Sequence, residues 1–547
     1  MNKTLKWLFA VSGGKKAGVV WLVLCQALSG GLGVLFALLL KSTVDSAASG
    51  DSASLKKYVI LLVCLALSQI AVAALIRWLK ERTKADIENI FKQRLFGAIL
   101  SKDFGTVSAV HTGDWLNRLT GDTAIVADGF AEIIPGVTGT VVRIVAAIAV
   151  IIALDTRFVF ILLPGTAAVI VLSYAFRRVL KHLHKNIRES DGRLRVFLQE
   201  HISSLMTVKS FAAEEKAYEE ALEKTEDHKK ARMKKLAFSN ISNIGFNAAI
   251  HGMFIVGIIY CAYGIIGGTV SYGTLTAIMQ LINSVRSPIA NVSGYLPRYY
   301  AAVASAERLM EIESFEDDIT PESPEKINRF YESEFEKLGL EDVSFTYPSG
   351  SETAVFEHLD IEIRKGETVA FTGRSGCGKS TVLKILMCMY PVSGGRRFLN
   401  SGGLTAAHRR LFAYVPQGNG LLSGTVRECV SFADPSGAND DERIARALQI
   451  ACADDFVTDY DAPLGEGGAG FSEGQMQRLA IARAIFAGCP VLLLDEATAS
   501  LDETTEKKLL ENLRSLTDKT VIIVTHRRAA LTICDRVFDF EQLSGKE

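Results

Sequence analysis

Six stretches of the 547-residue chain are apolar for about twenty residues each, the length of helix that crosses the hydrocarbon core of a bilayer. They cover 19–40, 58–79, 133–154, 158–176, 246–266 and 274–296. A lipid interior offers the backbone no water, so segments that span it must satisfy their own N–H and C=O groups as helices. With 48% apolar residues overall, the pattern argues against a soluble helical bundle. Lys3, Lys6, Lys15 and Lys16 precede the first run, which is too long for the apolar core of a secretory leader and lacks a cleavage site. It therefore reads as a span that stays in the protein.

The connections alternate in character. Between the first and second runs, the third and fourth, and the fifth and sixth they are short, with Asp155-Thr156-Arg157 joining the third to the fourth. Residues 80–132 and 177–245 are long, charged and rich in Lys and Arg. Positive segments remain on the cytoplasmic side, so the N-terminus and both long connections are expected there. Trp21 and Trp78 fall at span ends, where an amphipathic ring is well placed. Ile87, Ile90, Phe91, Leu95 and Ile99 recur at helical spacing, as do Val196, Leu198, Ile202, Leu205 and Val208. The spans are thus expected to run on into the cytosol and to turn near 102–112 and 211–215, two candidate docking points. Inside the spans, Arg143, His251, Gln280, Asn283 and Arg286 are the polar exceptions, and Ser29, Gly30, Gly31 and Gly33 read as close helix packing.

Charge divides the chain. Residues 1–312 carry 35 Lys+Arg against 23 Asp+Glu, and residues 313–547 carry 25 against 38. A basic membrane part beside an anionic leaflet and an acidic cytosolic part fit this split, and nothing in it forms a nucleic-acid surface. The nine cysteines have neither C-x-x-C nor zinc spacing and read as reduced thiols. Pro321 and Pro324 within an acidic stretch mark 313–334 as a linker. The expected organisation is an all-α six-helix transmembrane domain over 1–312, the linker, and an α/β P-loop domain over 335–547.

In that last part Gly373-Arg374-Ser375-Gly376-Cys377-Gly378-Lys379-Ser380-Thr381 comes after a β-branched run and opens a helical pattern. Glycines let successive N–H groups face an anion, and the helix adds its positive end. Lys379 would reach the β- and γ-phosphates and Ser380 would hold Mg²⁺. Five further stretches lie in fixed order around it. Tyr347, in Phe345-Thr346-Tyr347, offers a ring for adenine. Gln417 ends Val415-Pro416-Gln417, within reach of Mg²⁺ or a water. The apolar run 491–494 ends in Asp495 and Glu496; at the end of a buried parallel strand the first can hold Mg²⁺ and the second polarise water. His526 ends 521–526 in the same way and could bridge the γ-phosphate and the base. Phe471-Ser472-Glu473-Gly474-Gln475 precedes a helix, with the S-x-x-Q spacing of a capping box.

This order resembles the ATP-binding cassette transporters, and the spans with long cytoplasmic extensions look like an exporter-type half-transporter. The likeness covers nearly the whole chain. It implies that Tyr347 stacks on adenine, that Gln417 senses the membrane domain and that Glu496 is the catalytic base, with His526 beside it. It implies that Gly373, Ser375, Gly376, Cys377, Gly378, Lys379, Ser380 and Thr381 cradle ATP, with Ser380, Gln417 and Asp495 around Mg²⁺. It implies too that Ser472, Gly474 and Gln475 cap the ATP held by a second half-transporter, that Asp502 belongs to the crossing loop, and that export of a small amphipathic or hydrophobic cargo through the bilayer is the outcome. An importer on the same scaffold, or a nucleotide-regulated membrane protein, is the alternative.

Three departures stand out. Glu473 occupies a position usually held by glycine, and a carboxylate there would oppose a γ-phosphate by about 2 to 3 kcal/mol at roughly 6 to 8 Å. Such a site occurs in heterodimeric exporters, which keeps a different partner chain open. The glycine-rich segment 396–410 looks trimmed, and little comes after Phe540; both put the outer strands of the nucleotide domain in doubt.

Overall fold

The computed structural model describes residues 3–348 and 353–543; within its helices the side chains of most of 158–178 and of 285–293 also lie outside the described set. The chain divides into two compact units, Met1–Arg94 with Arg118–Leu309, and Leu95–Asn117 with Met310–Glu547.

The first unit is helical. A short α1 (Lys3–Val11) leads into α2 (Lys16–Ala48) and α3 (Ser52–Ser101), one helix of 50 residues whose last turns enter the second unit. Then come α4 (Phe104–Ser108) and α5 (Thr112–Asn117), both in the second unit, and α6 (Thr123–Asp128) and α7 (Ile134–Leu154) back in the first. The remaining helices are α8 (Val159–Ser203), α9 (Leu205–Ser210), α10 (Glu214–Ile266) and α11 (Tyr272–Glu311). All six apolar runs thus fall in long helices. Gly13–Ala48, Ser52–Ser101 and Thr112–Leu154 are long and apolar enough to cross a membrane, and Phe254–Ile266 is a shorter apolar stretch, among the residues described. Ile60, Val63, Leu67 and Ile70, spaced three and four apart on α3, all face outward, as lipid-facing residues must.

Glycine does part of what its run suggested. A side chain at Gly30 would meet the backbone of Gly139 and Arg143 on α7 at 3.3–3.4 Å, so α2 and α7 approach closely there. Gly31 and Gly33 have open space around them. Of the polar exceptions, Asn283 and His251 are exposed, Arg143 and Gln280 are half-buried, and the side chain of Arg286 lies outside the described residues.

Two π-helical turns, Arg118–Asp122 and Gly129–Ile133, flank α6. Each adds one residue per turn and so re-aims the helix beyond it. Asp122 accepts from Arg308 Nε at 2.8 Å and from Ser305 Oγ at 2.8 Å, while Glu132 pairs with Lys80 at 3.3 Å and with Arg298. The turns thus place carboxylates where α3 and α11 supply cations.

In the second unit the stretch expected as linker folds. Ser323 caps α12 (Pro324–Ser333), whose Ile327 and Tyr331 are buried with Phe335 in the core of this unit. Proline at the first helical position has no N–H to lose, so Pro324 starts this helix rather than breaking a chain. Next comes an antiparallel sheet of β1 (Lys337–Phe345), β2 (Phe356–Arg364), β4 (Gly394–Leu399) and β5 (Gly402–Gly403) in the order β2-β1-β4-β5. A parallel sheet of β3 (Thr368–Thr372), β6 (Phe412–Val415), β9 (Val491–Asp495), β10 (Thr520–Val524) and β11 (Arg536–Asp539) runs β11-β3-β10-β9-β6. The ribbon β7 (Gly424–Thr425) and β8 (Pro463–Leu464) completes the strands described. The outer strands in doubt from the trimmed segment are therefore formed: β4 pairs with β1 and β11 with β3. Helices α13 (Lys379–Leu386), α14 (Val426–Val430), α15 (Asp441–Ile450), α16 (Glu473–Phe486) and α17 (Glu503–Arg514) complete the unit, with α16 against β6 and α14 and α15 against α16.

The turn at 102–112 lies in the second unit, where the Phe104 ring meets Tyr390 edge-on. Arg409 holds Asp318 with both terminal guanidinium nitrogens, at 2.6 and 3.1 Å, and Lys102 Nζ reaches Phe315 O at 2.8 Å and Asp317 at 2.8 Å. At the other turn Leu205, Met206 and Phe211 are exposed.

Candidate functional site

Strand β3 is buried along its first four residues, which fixes where the chain emerges and turns. Gly373, Gly376 and Gly378 take φ of 130°, 83° and 102°, conformations closed to most side-chain-bearing residues. Ser375 and Gly376 form the exposed crest, whereas Lys379 and Thr381 are buried. Lys379 Nζ donates to the carbonyls of Gly373 at 2.6 Å and Arg374 at 2.8 Å. No carboxylate lies within ion-pair distance of it among the described residues, so an ammonium stands ready for an anion. Cys377 Sγ lies 3.7 Å from the same nitrogen.

Parallel strands deliver their C-terminal residues to one edge of the sheet, and four of them converge here. From β9 comes Asp495, 1% exposed, whose carboxylate accepts from Ser380 Oγ at 2.8 Å and from Tyr414 Oη at 3.0 Å. Burial pushes its carboxyl above the ordinary range, against the two hydroxyls. Burial and the neighbouring Asp495 likewise raise Tyr414, keeping it a neutral donor. Glu496 comes next at φ 53°, a strained backbone for a side chain of its size. Its carboxylate accepts from Gln417 Nε2 at 2.8 Å, at the end of β6, and lies 3.8 Å from His526 Nε2, at the end of β10. A hydroxyl, two carboxylates, an amide and an imidazole thus gather beside the glycine loop. Oxygen donors of this kind suit a hard divalent cation that keeps several waters, so Ser380, Asp495 and Gln417 fit Mg²⁺.

Tyr347 belongs to the same neighbourhood. Its hydroxyl bonds Thr381 Oγ1 at 2.9 Å, and its ring meets Phe345 and Tyr390 edge-on.

Ser472, Gly474 and Gln475 form a separate patch. Ser472 and Gln475 close a capping box on α16, with Gln475 Oε1 accepting from Ser472 N at 2.8 Å. A side chain at Gly474 would stand 2.9 Å from Ser500 O, which accounts for glycine there. Glu473 is exposed in the first turn. Asp502 caps α17, and hydrogen bonds from Thr504 and Thr505 hold its carboxyl well below the usual range. No hydrogen bond or ion pair joins 472–475 to 373–381 among the described residues. The predicted residues thus fall into two groups.

Several residues at the site carry no signal in the sequence. Tyr414 lies three residues before Gln417, and only its pairing with β9 shows that it meets Asp495. Arg527 pins the loop after Glu496, donating to Leu501 O at 2.8 Å, Ala499 O at 2.6 Å and Glu506 at 2.8 Å. Arg483 ties α16 to the loop after Gln417 through Gly420 O at 2.7 Å and Asn419 O at 3.0 Å.

Residues 19–289 match the family described as ABC transporter transmembrane region, and residues 356–499 the family described as ABC transporter. The chain is 27% identical over 463 residues to ABC transporter B family member 1 of Dictyostelium discoideum, covering 82% of this chain and 50% of that one. It thus spans about half the length of that relative. To the ATP-dependent lipid A-core flippase of Syntrophus aciditrophicus it is 26% identical over 531 residues, covering 94% and 86%. Among solved structures, a bacterial Atm1-family ABC exporter with ATP bound superposes at a TM-score of 0.78 with 20% identity, covering 97% of this chain and 94% of that one, a likeness of fold.

Proposed function

The chain belongs to the ABC transporters, with a transmembrane region and a nucleotide domain on one polypeptide, and on that premise we propose that it is half of an ATP-driven exporter of an amphipathic or hydrophobic cargo. The observation that carries this reading is the convergence of Lys379, Ser380, Gln417, Asp495, Glu496 and His526 at one sheet edge. In this reading 1–312 is the membrane domain, the nucleotide domain runs to 547 with α12 as part of its core, and 313–323 is the join.

Tyr347 offers its ring to adenine. Gly373 through Thr381, Cys377 included, wrap the phosphates, and Lys379 exchanges its two carbonyls for phosphate oxygens. Mg²⁺, when bound, neutralises phosphate charge; Ser380, Asp495 and Gln417 hold it. Glu496 accepts a proton from the attacking water, and His526 orients beside it. Ser472, Gly474 and Gln475 cap the ATP of a second chain, and Asp502 lies on the loop facing that chain. The cytoplasmic side holds both nucleotide domains and the N-terminus. The flippase name of one relative favours a lipid-like cargo.

A second reading, in which the partner is a different chain, is favoured by Glu473. Reconstituting the purified chain alone in sealed lipid vesicles and following ATP turnover and transbilayer movement of a fluorescent lipid tests both. Turnover by a homodimer supports the first; nucleotide binding without turnover turns the assignment to a heterodimer; absence of ATP binding sinks both.

A further inference from the structure

Helix α4 is seated on one side chain of the nucleotide domain. The Phe104 ring meets Tyr390 edge-on at 5.6 Å and 78°, and Ser108 Oγ lies 3.3 Å from Tyr390 Oη. Gly105 between them is buried, and a side chain there would stand 3.3 Å from the Tyr390 ring. On its other side Tyr390 meets Tyr347 edge-on at 5.3 Å and 84°, and Tyr347 in turn bonds Thr381 at 2.9 Å. Arg397 Nη1 holds Tyr390 O at 2.9 Å, fixing the backbone beneath the ring. One aromatic side chain therefore separates α4 from the tyrosine beside the glycine loop.

We propose that Tyr390 is a positioning residue through which α4 reads whether a purine base occupies Tyr347. A base stacked on Tyr347 sets the plane of that ring, and the plane is tied to the edge-on contact with Tyr390 and to the bond to Thr381. Edge-on aromatic pairs have narrow preferred geometries, so Tyr390 moves with it or loses the contact. Phe104 and Ser108 rest on the same ring and move with it. The base is thereby sensed separately from the phosphates, which Gln417 and Glu496 face. The inference rests on Tyr347 being the residue that takes adenine.

Trp115 is a native reporter: it is 7% exposed, its Nε1 donates to Val107 O on α4 at 3.0 Å, and its ring meets Phe315. The full chain is labelled with 5-fluorotryptophan in nanodiscs in the Glu496→Gln background, and the Trp115 resonance is assigned by its loss in Trp115→Phe. ATP should move that resonance, whereas inorganic tripolyphosphate, at concentrations that displace ATP, should not. Tyr390→Leu should abolish the ATP-induced shift while weakening ATP binding by about threefold or less, and Tyr390→Phe, which keeps the ring, should restore it. An equal shift with tripolyphosphate, a shift that persists in Tyr390→Leu, or bound ATP without any shift overturns the proposal. Absence of ATP binding in the parent is seen directly in the binding measurement and removes the adenine assignment itself.

Discussion

Glu496 shows how much one residue's environment decides. Its backbone sits in the left-handed region, which costs about 1 to 3 kcal/mol for a residue that is not glycine, and the return is a carboxylate between Gln417 and His526. Glu496→Gln is expected to lower turnover by about a hundredfold or more while leaving ATP affinity within a few-fold; turnover and nucleotide binding measured on the same preparation check it. Tyr414→Phe removes a neutral donor from Asp495 without changing shape. The expected result is a higher Mg²⁺ requirement in an ATP-binding titration and a loss of about 1 to 3 kcal/mol in stability, since Asp495 is buried. Cys377, next to Lys379, should be alkylated in the free protein with loss of nucleotide binding and protected by ATP; alkylation that leaves binding intact would place the thiol outside the pocket.

At the scale of elements, legibility tracked locality. The strand, turn and helix around Lys379 and the apolar strand ending at Asp495 announce themselves because each is a continuous local pattern. Helix α12 did not, because two prolines in an acidic stretch read as linker until Ser323 and Pro324 prove to be a cap and a first turn. The two π turns leave no periodic trace at all; what they do is visible only in the pairing of Asp122 and Glu132 with residues far along the chain. The same holds for Tyr390, Arg483 and Arg527, whose partners are distant in sequence. The Arg409–Asp318 pair holds the segment 316–318 that bonds the backbone of Ser101 and Asp103, just before α4. Arg409→Met and Asp318→Asn should each destabilise the nucleotide unit, and the double variant should recover about 1 kcal/mol or more of the summed loss; thermal unfolding of the full chain with a nucleotide-domain probe measures it.

For the whole molecule, the separation of 373–381 from 472–475 within one chain is the reason an assembly is proposed. Glu473 sets its character. If it faces a partner's γ-phosphate, Glu473→Gly should raise ATP turnover by up to about thirtyfold, the equivalent of about 2 kcal/mol; an unchanged rate in the reconstituted chain would mean the carboxylate turns to solvent. Hydropathy and charge mark a change of character near residue 312, but the grouping of 95–117 with the second unit leaves no such mark, because nothing in a helical period tells where a helix ends its service to one body and begins it to another.

Helix α3 runs without a break from Ser52 to Ser101, about 75 Å at 1.5 Å per residue. A rod of that length converts small rotations into large displacements: a tilt of about 5° at one tip sweeps the other through roughly 6 Å, more than the diameter of a water molecule. The far end of the rod would then answer to a ring-sized adjustment beside α4, with leverage rather than refolding as the means.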